Sequence, residues 1–111
     1  MADFSFKTRA AALERFRSEQ FDLLISPTSP TVAFPIGARV DNPLAMYLSD
    51  VLAIPPNMAG LPGLSIPCGL SDGLPVGLQL IGPQFSENLL FRAGHALEHA
   101  LEFEYVPPRL K

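Results

Sequence analysis

Few side chains in this 111-residue chain are placed where they could do chemistry, and Asp50 stands out among them. It is the only carboxylate between residues 43 and 71, and no lysine or arginine occurs from residue 40 to residue 91. A buried carboxylate needs a cationic partner or hydrogen-bond donors, or it becomes protonated. Two interpretations stay open: Asp50 accepts hydrogen bonds from nearby backbone or from Asn57, or it receives the ammonium group of a ligand.

Three hydroxyl groups lie at the end of the apolar run "FDLLISP" and in the loop that follows it: Ser26, Thr28 and Ser29. In open α/β sheets, loops at strand ends often hold ligands, so these hydroxyls are site candidates. Hydroxyls in such loops also commonly stabilise turns, and the sequence does not separate the two roles.

The string "HALEH", residues 95–99, matches the H-x-x-E-H pattern of one class of zinc peptidases. Both histidines fall roughly 140 to 180° around the helix from its apolar stripe, and twelve residues follow His99 in which a third ligand could occur. We therefore expect solvated or partner-facing histidines and no metal site. The neighbours of Cys68 offer no base or cation, so a small buried residue is favoured over a nucleophile.

The composition describes a chain with little charge to cover itself. It is 48% hydrophobic and 17% charged, whereas soluble domains average about 25% charged residues. Such a chain usually covers its apolar faces with a partner, another domain or the rest of a longer polypeptide. At this length it has room for one domain at most.

Charge and cysteine content exclude several classes of function. A net charge of −3 without clustered lysine and arginine does not suit a nucleic-acid surface. One cysteine makes no internal disulfide, and no signal peptide is visible, which favours a cytoplasmic setting. Residues 51–70 are uncharged, but their prolines and glycines exclude a continuous membrane helix.

Hydrophobic periodicity predicts five elements of an α/β fold: a helix at 6–19, a buried strand at 21–27, a helix at 43–50, a β-hairpin at 63–82 and a helix at 86–101. The strand at 21–27 is continuously apolar, which suits burial on both faces of a mixed or parallel sheet.

Caps and turns support these elements. Asn42 and Pro43 form a good helix start, and Ser86 is expected to cap the last helix. The turn residues "SDG" separate the two hairpin strands, and Pro67 places the first of those strands at an edge or on a bulge.

Three longer strings carry a family resemblance: "FDLLISPTSPTVAF", "DNPLAMYLSDVLAIPPNMAGLPGLSIPCG" and "GLPVGLQLIGPQFSENLLFRAGHALE". They resemble the C-terminal portion of the glutaminase subunits of glutamyl-tRNA(Gln) amidotransferases, within the amidase signature family. The resemblance covers residues 6–101. It implies an α/β/α sandwich with a mixed β-sheet, of which residues 1–111 would be the C-terminal segment of one domain, incomplete as given.

In that family a serine nucleophile, helped by a second serine and a lysine, attacks the side-chain amide of glutamine and releases ammonia. The resemblance implies that Asp50 recognises the α-amino group of glutamine, with Thr28, Ser29 and Tyr47 as further residues lining the site. The substrate would then supply the cation that the sequence lacks.

The resemblance also implies partners. A partner protein of the complex uses ATP and Mg²⁺ to convert Glu-tRNA(Gln) to Gln-tRNA(Gln) with the ammonia, as a carbon–nitrogen ligase with glutamine as amido donor. Expected partners are the missing N-terminal part of the same polypeptide, the B and C subunits of the amidotransferase, glutamine, and tRNA through the complex. We expect no cofactor, metal or membrane to bind this segment.

The family's catalytic serines and lysine have no match in these residues, so no catalytic residue is assigned and we expect the chain alone to be inactive. A truncated product, a proteolytic product and a degenerate reading frame are all consistent with this. Two alternatives stay open: a piece of another amidase signature hydrolase that acts on a small amide, and a non-catalytic interaction module.

Overall fold

The computed structural model describes residues 9–104. In chain order its elements are α1 (Arg9–Ser18), β1 (Leu24–Pro27), α2 (Pro43–Ser49), α3 (Ile54–Ala59), β2 (Gly63–Ser71), β3 (Leu74–Ile81) and α4 (Glu87–Leu101). Residues 6–8 of the predicted first helix lie outside the described residues.

The three described strands form one antiparallel sheet in the order β1-β3-β2. Gln79 on the central strand pairs with Ser26 on one side and with Ser65 on the other. Because side chains alternate across a strand, these three residues share one face of the sheet. The opposite face carries the apolar residues between them.

The β2–β3 hairpin follows the predicted turn chemistry. Asp72 and Gly73 connect the strands with φ angles of 52° and 76°, and two positive φ values are what a type I′ hairpin turn requires. The register of β2 shifts between Pro67 and Gly69, and β2 lies at the edge of the sheet. The edge position and the bulge expected for Pro67 are therefore both confirmed.

The first strand is shorter and more exposed than the sequence predicts. It begins at Leu24 rather than at residue 21, and the Ile25 side chain is 64% exposed. The expectation of a strand buried on both faces is wrong for this chain. The physical reason is that β1 is the other edge of the sheet, and α4, which packs on the face that carries Ile25, lies mainly over β2 and β3.

Helix α2 begins as predicted, because the Asn42 side chain accepts a hydrogen bond from the Ala45 amide. The structure then adds a helix that the sequence analysis missed, α3. Its two prolines occupy the first turn, where a helix loses no hydrogen bond to them. Gly60 ends α3 in the left-handed conformation with a φ of 67°, which glycine adopts without steric cost.

The core lies on both faces of the sheet. On one face, α1 and α3 contribute to a cluster of Phe16, Ala59, Leu61 and Ile81. On the other face, α4 packs against β2 with Leu90 and Gly94 buried.

Two details of α4 matter for its packing. A Cβ at Gly94 would lie 2.8 Å from Leu64 Cδ2, so glycine allows the close approach of helix and sheet. The Ser86 hydroxyl donates to the Pro83 carbonyl at 2.6 Å and makes no side-chain cap to α4. The predicted serine cap is therefore wrong, although the helix begins one residue later, at Glu87.

Candidate functional site

A buried amide joins the polar face of the sheet to the segment between α2 and α3. Gln79 is 6% exposed, and its Nε2 donates to Ser26 Oγ at 3.1 Å and to the Leu52 carbonyl at 3.0 Å. Buried polar groups need such partners to offset their desolvation. Gln79 thus fixes the approach of the α2–α3 connection to the end of β1.

A pair of hydroxyls lies next to this amide. Thr28 Oγ1 and Ser65 Oγ share a hydrogen bond of 2.6 Å between the loop after β1 and the edge strand β2. The pair sits over Gly77 on β3, where a Cβ would lie 2.8 Å from the Thr28 oxygen and 2.9 Å from the Ser65 oxygen. The glycine is therefore what lets the two hydroxyls meet across the central strand.

An open cleft of about 420 Å³ lies above this pair, between the loop after β1 and the sheet. Among the predicted site residues it is lined by Thr28 and Ser29, and not by Tyr47 or Asp50. The structure thus separates the four candidates into two sets. Thr28 and Ser29 lie in the cleft, whereas Tyr47 lies on α2 and Asp50 at its C-terminal end.

Ser49, the last residue of α2, links these two groups. Ser29 Oγ donates to the Ser49 carbonyl at 3.1 Å, and Arg39 Nη1 donates to Ser49 Oγ at 2.7 Å. Arg39 also donates to Thr31 Oγ1 at 3.2 Å and lies 3.9 Å from the centroid of the Phe34 ring, a cation–π distance. The loop from residue 28 to residue 39 is therefore held on the residue that precedes Asp50.

Asp50 itself caps the C-terminus of α2, with its backbone N–H donating to the Tyr47 carbonyl at 3.1 Å. Its side chain is exposed. Among residues 9–104 no hydrogen bond or ion pair reaches the carboxylate, so neither Asn57 nor the nearby backbone is its partner. The premise that Asp50 is buried is wrong for this chain, because its side chain is exposed.

The remaining chemical candidates lie elsewhere. His95 and His99 are exposed on α4, and the described residues hold no group of three metal-ligating side chains. Cys68 is half-buried at the β2 bulge and carries a free thiol. Over residues 9–104, every helix is too short or too polar to cross a bilayer.

Four residues of the site were missed by the sequence analysis: Arg39, Ser49, Ser65 and Gln79. Gln79 was visible as a lone amide inside an apolar strand, a pattern that requires buried partners. Arg39 is the one basic residue between Arg17 and Arg92, and only the folded loop shows that it reaches α2.

These features define an α/β protein whose described strands form a small antiparallel sheet, with a hydroxyl-lined cleft beside a helix that ends in a free carboxylate. The family model described as Amidase matches residues 3–91. The chain therefore belongs to the amidase family, as its sequence motifs indicated.

Curated relatives give a finer likeness. The chain is 59% identical over 91 residues to the A subunit of glutamyl-tRNA(Gln) amidotransferase from Chloroflexus aurantiacus, which covers 82% of this chain and 19% of that protein. It is 59% identical over 92 residues to the corresponding protein of Moorella thermoacetica, at 83% and 19% coverage. The chain thus spans about one fifth of the length of these relatives. The resemblance inferred from the sequence is confirmed.

Solved structures agree with the fold class. The crystal structure of the glutamyl-tRNA(Gln) amidotransferase A subunit from Thermotoga maritima matches with a TM-score of 0.72 and 42% identity, over 81% of this chain and 20% of that one. A 6-aminohexanoate cyclic dimer hydrolase matches with a TM-score of 0.65 and 30% identity, over 85% of this chain and 22% of that one. The α/β architecture is therefore that of part of the amidase signature fold.

Proposed function

We propose that this chain contributes part of the glutaminase subunit of glutamyl-tRNA(Gln) amidotransferase. The observation that carries the proposal is its 59% identity over 91 residues to the A subunit of that enzyme. The 6-aminohexanoate cyclic dimer hydrolase of the same fold is only 30% identical to this chain. The reaction is hydrolysis of the glutamine side-chain amide, followed by use of the ammonia to convert Glu-tRNA(Gln) to Gln-tRNA(Gln).

In this proposal Asp50 receives the α-ammonium group of glutamine. Its carboxylate is exposed, and no group among the described residues is bound to it, so it is available to a cationic ligand. Ser29 and Arg39 hold Ser49 through hydrogen bonds of 3.1 and 2.7 Å. The backbone of the adjacent Asp50 is thereby held in place before substrate binds, which reduces the entropy lost on binding.

The chemistry of amide cleavage belongs to residues that these 111 do not supply. The two serines and the lysine of the family motif would come from the preceding part of an amidase domain, and Asp50, Thr28, Ser29 and Tyr47 would complete the substrate side of the site. Alone, the chain positions no nucleophile for glutamine and is inactive.

The apolar surface of α2 supports this division. The side chains of Leu44, Met46 and Leu48 are 65%, 45% and 46% exposed. Exposed apolar patches usually mark a surface that another part of the protein or a partner covers. The proposed partner for this surface is the N-terminal part of an amidase domain. The B and C subunits, ATP and Mg²⁺ on a partner protein of the complex, tRNA bound through the complex, and a cytoplasmic setting complete the proposal.

The first test is ammonia release from glutamine by this chain alone and by this chain mixed with a separately produced N-terminal portion of the Thermotoga maritima protein. We expect activity only in the mixture. Activity of the chain alone would contradict the proposed division of the site. If both pieces are folded and the mixture stays silent, a non-catalytic interaction module replaces the proposal.

The second test examines Asp50 in a chimera, in which residues 3–91 replace the matching part of the Thermotoga maritima protein. Asp50→Asn removes the charge that pairs with the ammonium. Loss of one partner of a desolvated charge pair costs about 2 kcal/mol or more, so we expect kcat/KM for glutamine to fall about 30-fold or more. Asp72→Asn at the exposed hairpin turn is the matched control and should leave glutamine turnover unchanged.

The second candidate function is hydrolysis of another small amide, favoured by the likeness to the 6-aminohexanoate cyclic dimer hydrolase. A substrate without an α-ammonium group does not need the Asp50 carboxylate. If the Asp50→Asn chimera hydrolyses glutamine at the same rate as its parent, the proposed substrate role of Asp50 is wrong. That result would favour the second candidate function.

A further inference from the structure

The exposed side of α4 carries the only two histidines of the chain, and the proposed glutaminase function uses neither. His95 and His99 are four residues apart, which places them on one side of the helix about one turn from each other. Both are exposed, and their ring centroids are 4.5 Å apart with the ring planes at 89°.

This separation is compatible with one ion held by both rings. An imidazole nitrogen binds a transition-metal ion at about 2.1 Å, which puts the ion about 3.2 Å from the ring centroid. When the two metal–nitrogen bonds meet at a right angle, the centroids of the two rings lie about 4.5 Å apart. The centroid separation of His95 and His99 therefore equals that of two adjacent ligands in a square-planar or octahedral complex, and one nitrogen of each ring must turn toward the ion on binding.

The surroundings favour a cation. Glu98, Glu102 and Glu104 line the same groove as the two histidines, together with Phe103. Glu102 ends the helix in the left-handed conformation with a φ of 48°, so the chain turns there and Glu104 comes to the groove. Exposed carboxylates raise the local concentration of cations.

We propose that His95 and His99 chelate one divalent transition-metal ion on the surface of α4. The two imidazoles supply two ligands and water fills the other positions, because the described residues hold no group of three ligands. The site takes ions that favour imidazole, in the order Cu²⁺, Ni²⁺, Zn²⁺, and excludes Mg²⁺ and Ca²⁺, which favour oxygen ligands. It differs from the three-ligand site of the zinc peptidases. The bound ion links two successive turns near the C-terminal end of α4.

The experiment is calorimetric titration of the metal-free 111-residue chain with Ni²⁺. We expect one Ni²⁺ per chain, no heat with Mg²⁺, and binding about 100-fold weaker in His95→Gln and in His99→Gln, because the second ligand acts at a high effective concentration. Glu87→Gln, in the first turn of the same helix and outside the groove, is the control and should stay within about threefold of the parent.

A second variant separates a helical chelate from loose binding by two histidines. His99→Gln combined with Ala100→His keeps both imidazoles but puts them five residues apart, about 140° around the helix. We expect this variant to bind Ni²⁺ as weakly as the single-histidine variants. Binding as tight as that of the parent, or a parent that binds no Ni²⁺, would overturn the proposal.

Discussion

The two sides of the sheet differ in how completely their apolar side chains are covered. On the face covered by α4, Leu80, Leu90 and Ile66 are 1%, 3% and 5% exposed. Around α2, beyond the other face, the apolar Leu44 is 65% exposed and Ile36 is fully exposed. The first region closes with residues from one stretch of chain, whereas the second leaves a polar cleft and apolar side chains uncovered.

The difference separates the residues that stabilise the fold from those that we propose to bind substrate. The hairpin packs against α4 on one face and against the cluster from α1 and α3 on the other, whereas the loop after β1 and α2 present hydroxyls, an arginine and a free carboxylate. Sites for ligands are commonly placed on less stable segments that a rigid scaffold supports. Substitutions should therefore cost stability on the α4 face and function near α2, and three substitutions test this contrast.

The largest effect on stability is expected at Leu80. It lies opposite Leu64 in the pairing of β2 and β3 and is the largest fully buried side chain among residues 9–104. Leu80→Ala leaves a cavity, and buried leucine to alanine changes cost about 2 to 5 kcal/mol in the free energy of unfolding. Urea denaturation followed by circular dichroism measures this as a lower midpoint with an unchanged slope.

Leu74→Ala is the control for this prediction, since Leu74 is on the same strand but is 36% exposed. It should change the free energy of unfolding by less than about 1 kcal/mol. Equal effects at the two positions would mean that the α4 face is not the stable part of the chain.

A smaller effect is expected at Gln79, which connects the two regions. Gln79→Leu keeps the volume but removes the hydrogen bonds to Ser26 and to the Leu52 carbonyl. An acceptor left without its donor costs about 1 to 3 kcal/mol. Ser26→Ala removes one bond and leaves the Leu52 carbonyl bonded, so its cost in the same denaturation experiment should be the lower of the two.

The contrast also explains what the sequence could predict. The hairpin was predictable because its register depends on Asp72 and Gly73, and α2 because its start depends on Asn42, a few residues away. The exposure of Ile25 was not predictable, since an apolar run does not indicate which other elements will cover it. The link from Arg39 to Ser49 joins residues ten positions apart through a loop without periodicity, and α3 was hidden because prolines in its first turn resemble a loop.

The smallest effect on stability is expected where we propose the largest effect on function. Asp50 is exposed and its carboxylate has no hydrogen bond or ion pair among the described residues, so Asp50→Asn removes no native contact from this chain. We expect the free energy of unfolding to change by less than about 0.5 kcal/mol, measured by the same urea denaturation. The amide also avoids placing an anion at the C-terminal end of α2, where the helix dipole disfavours it, so a slight gain is the expected sign. If Asp50→Asn instead costs as much as Gln79→Leu, the carboxylate has a structural partner in solution, and the loss of glutamine turnover in the chimera could no longer be assigned to substrate binding.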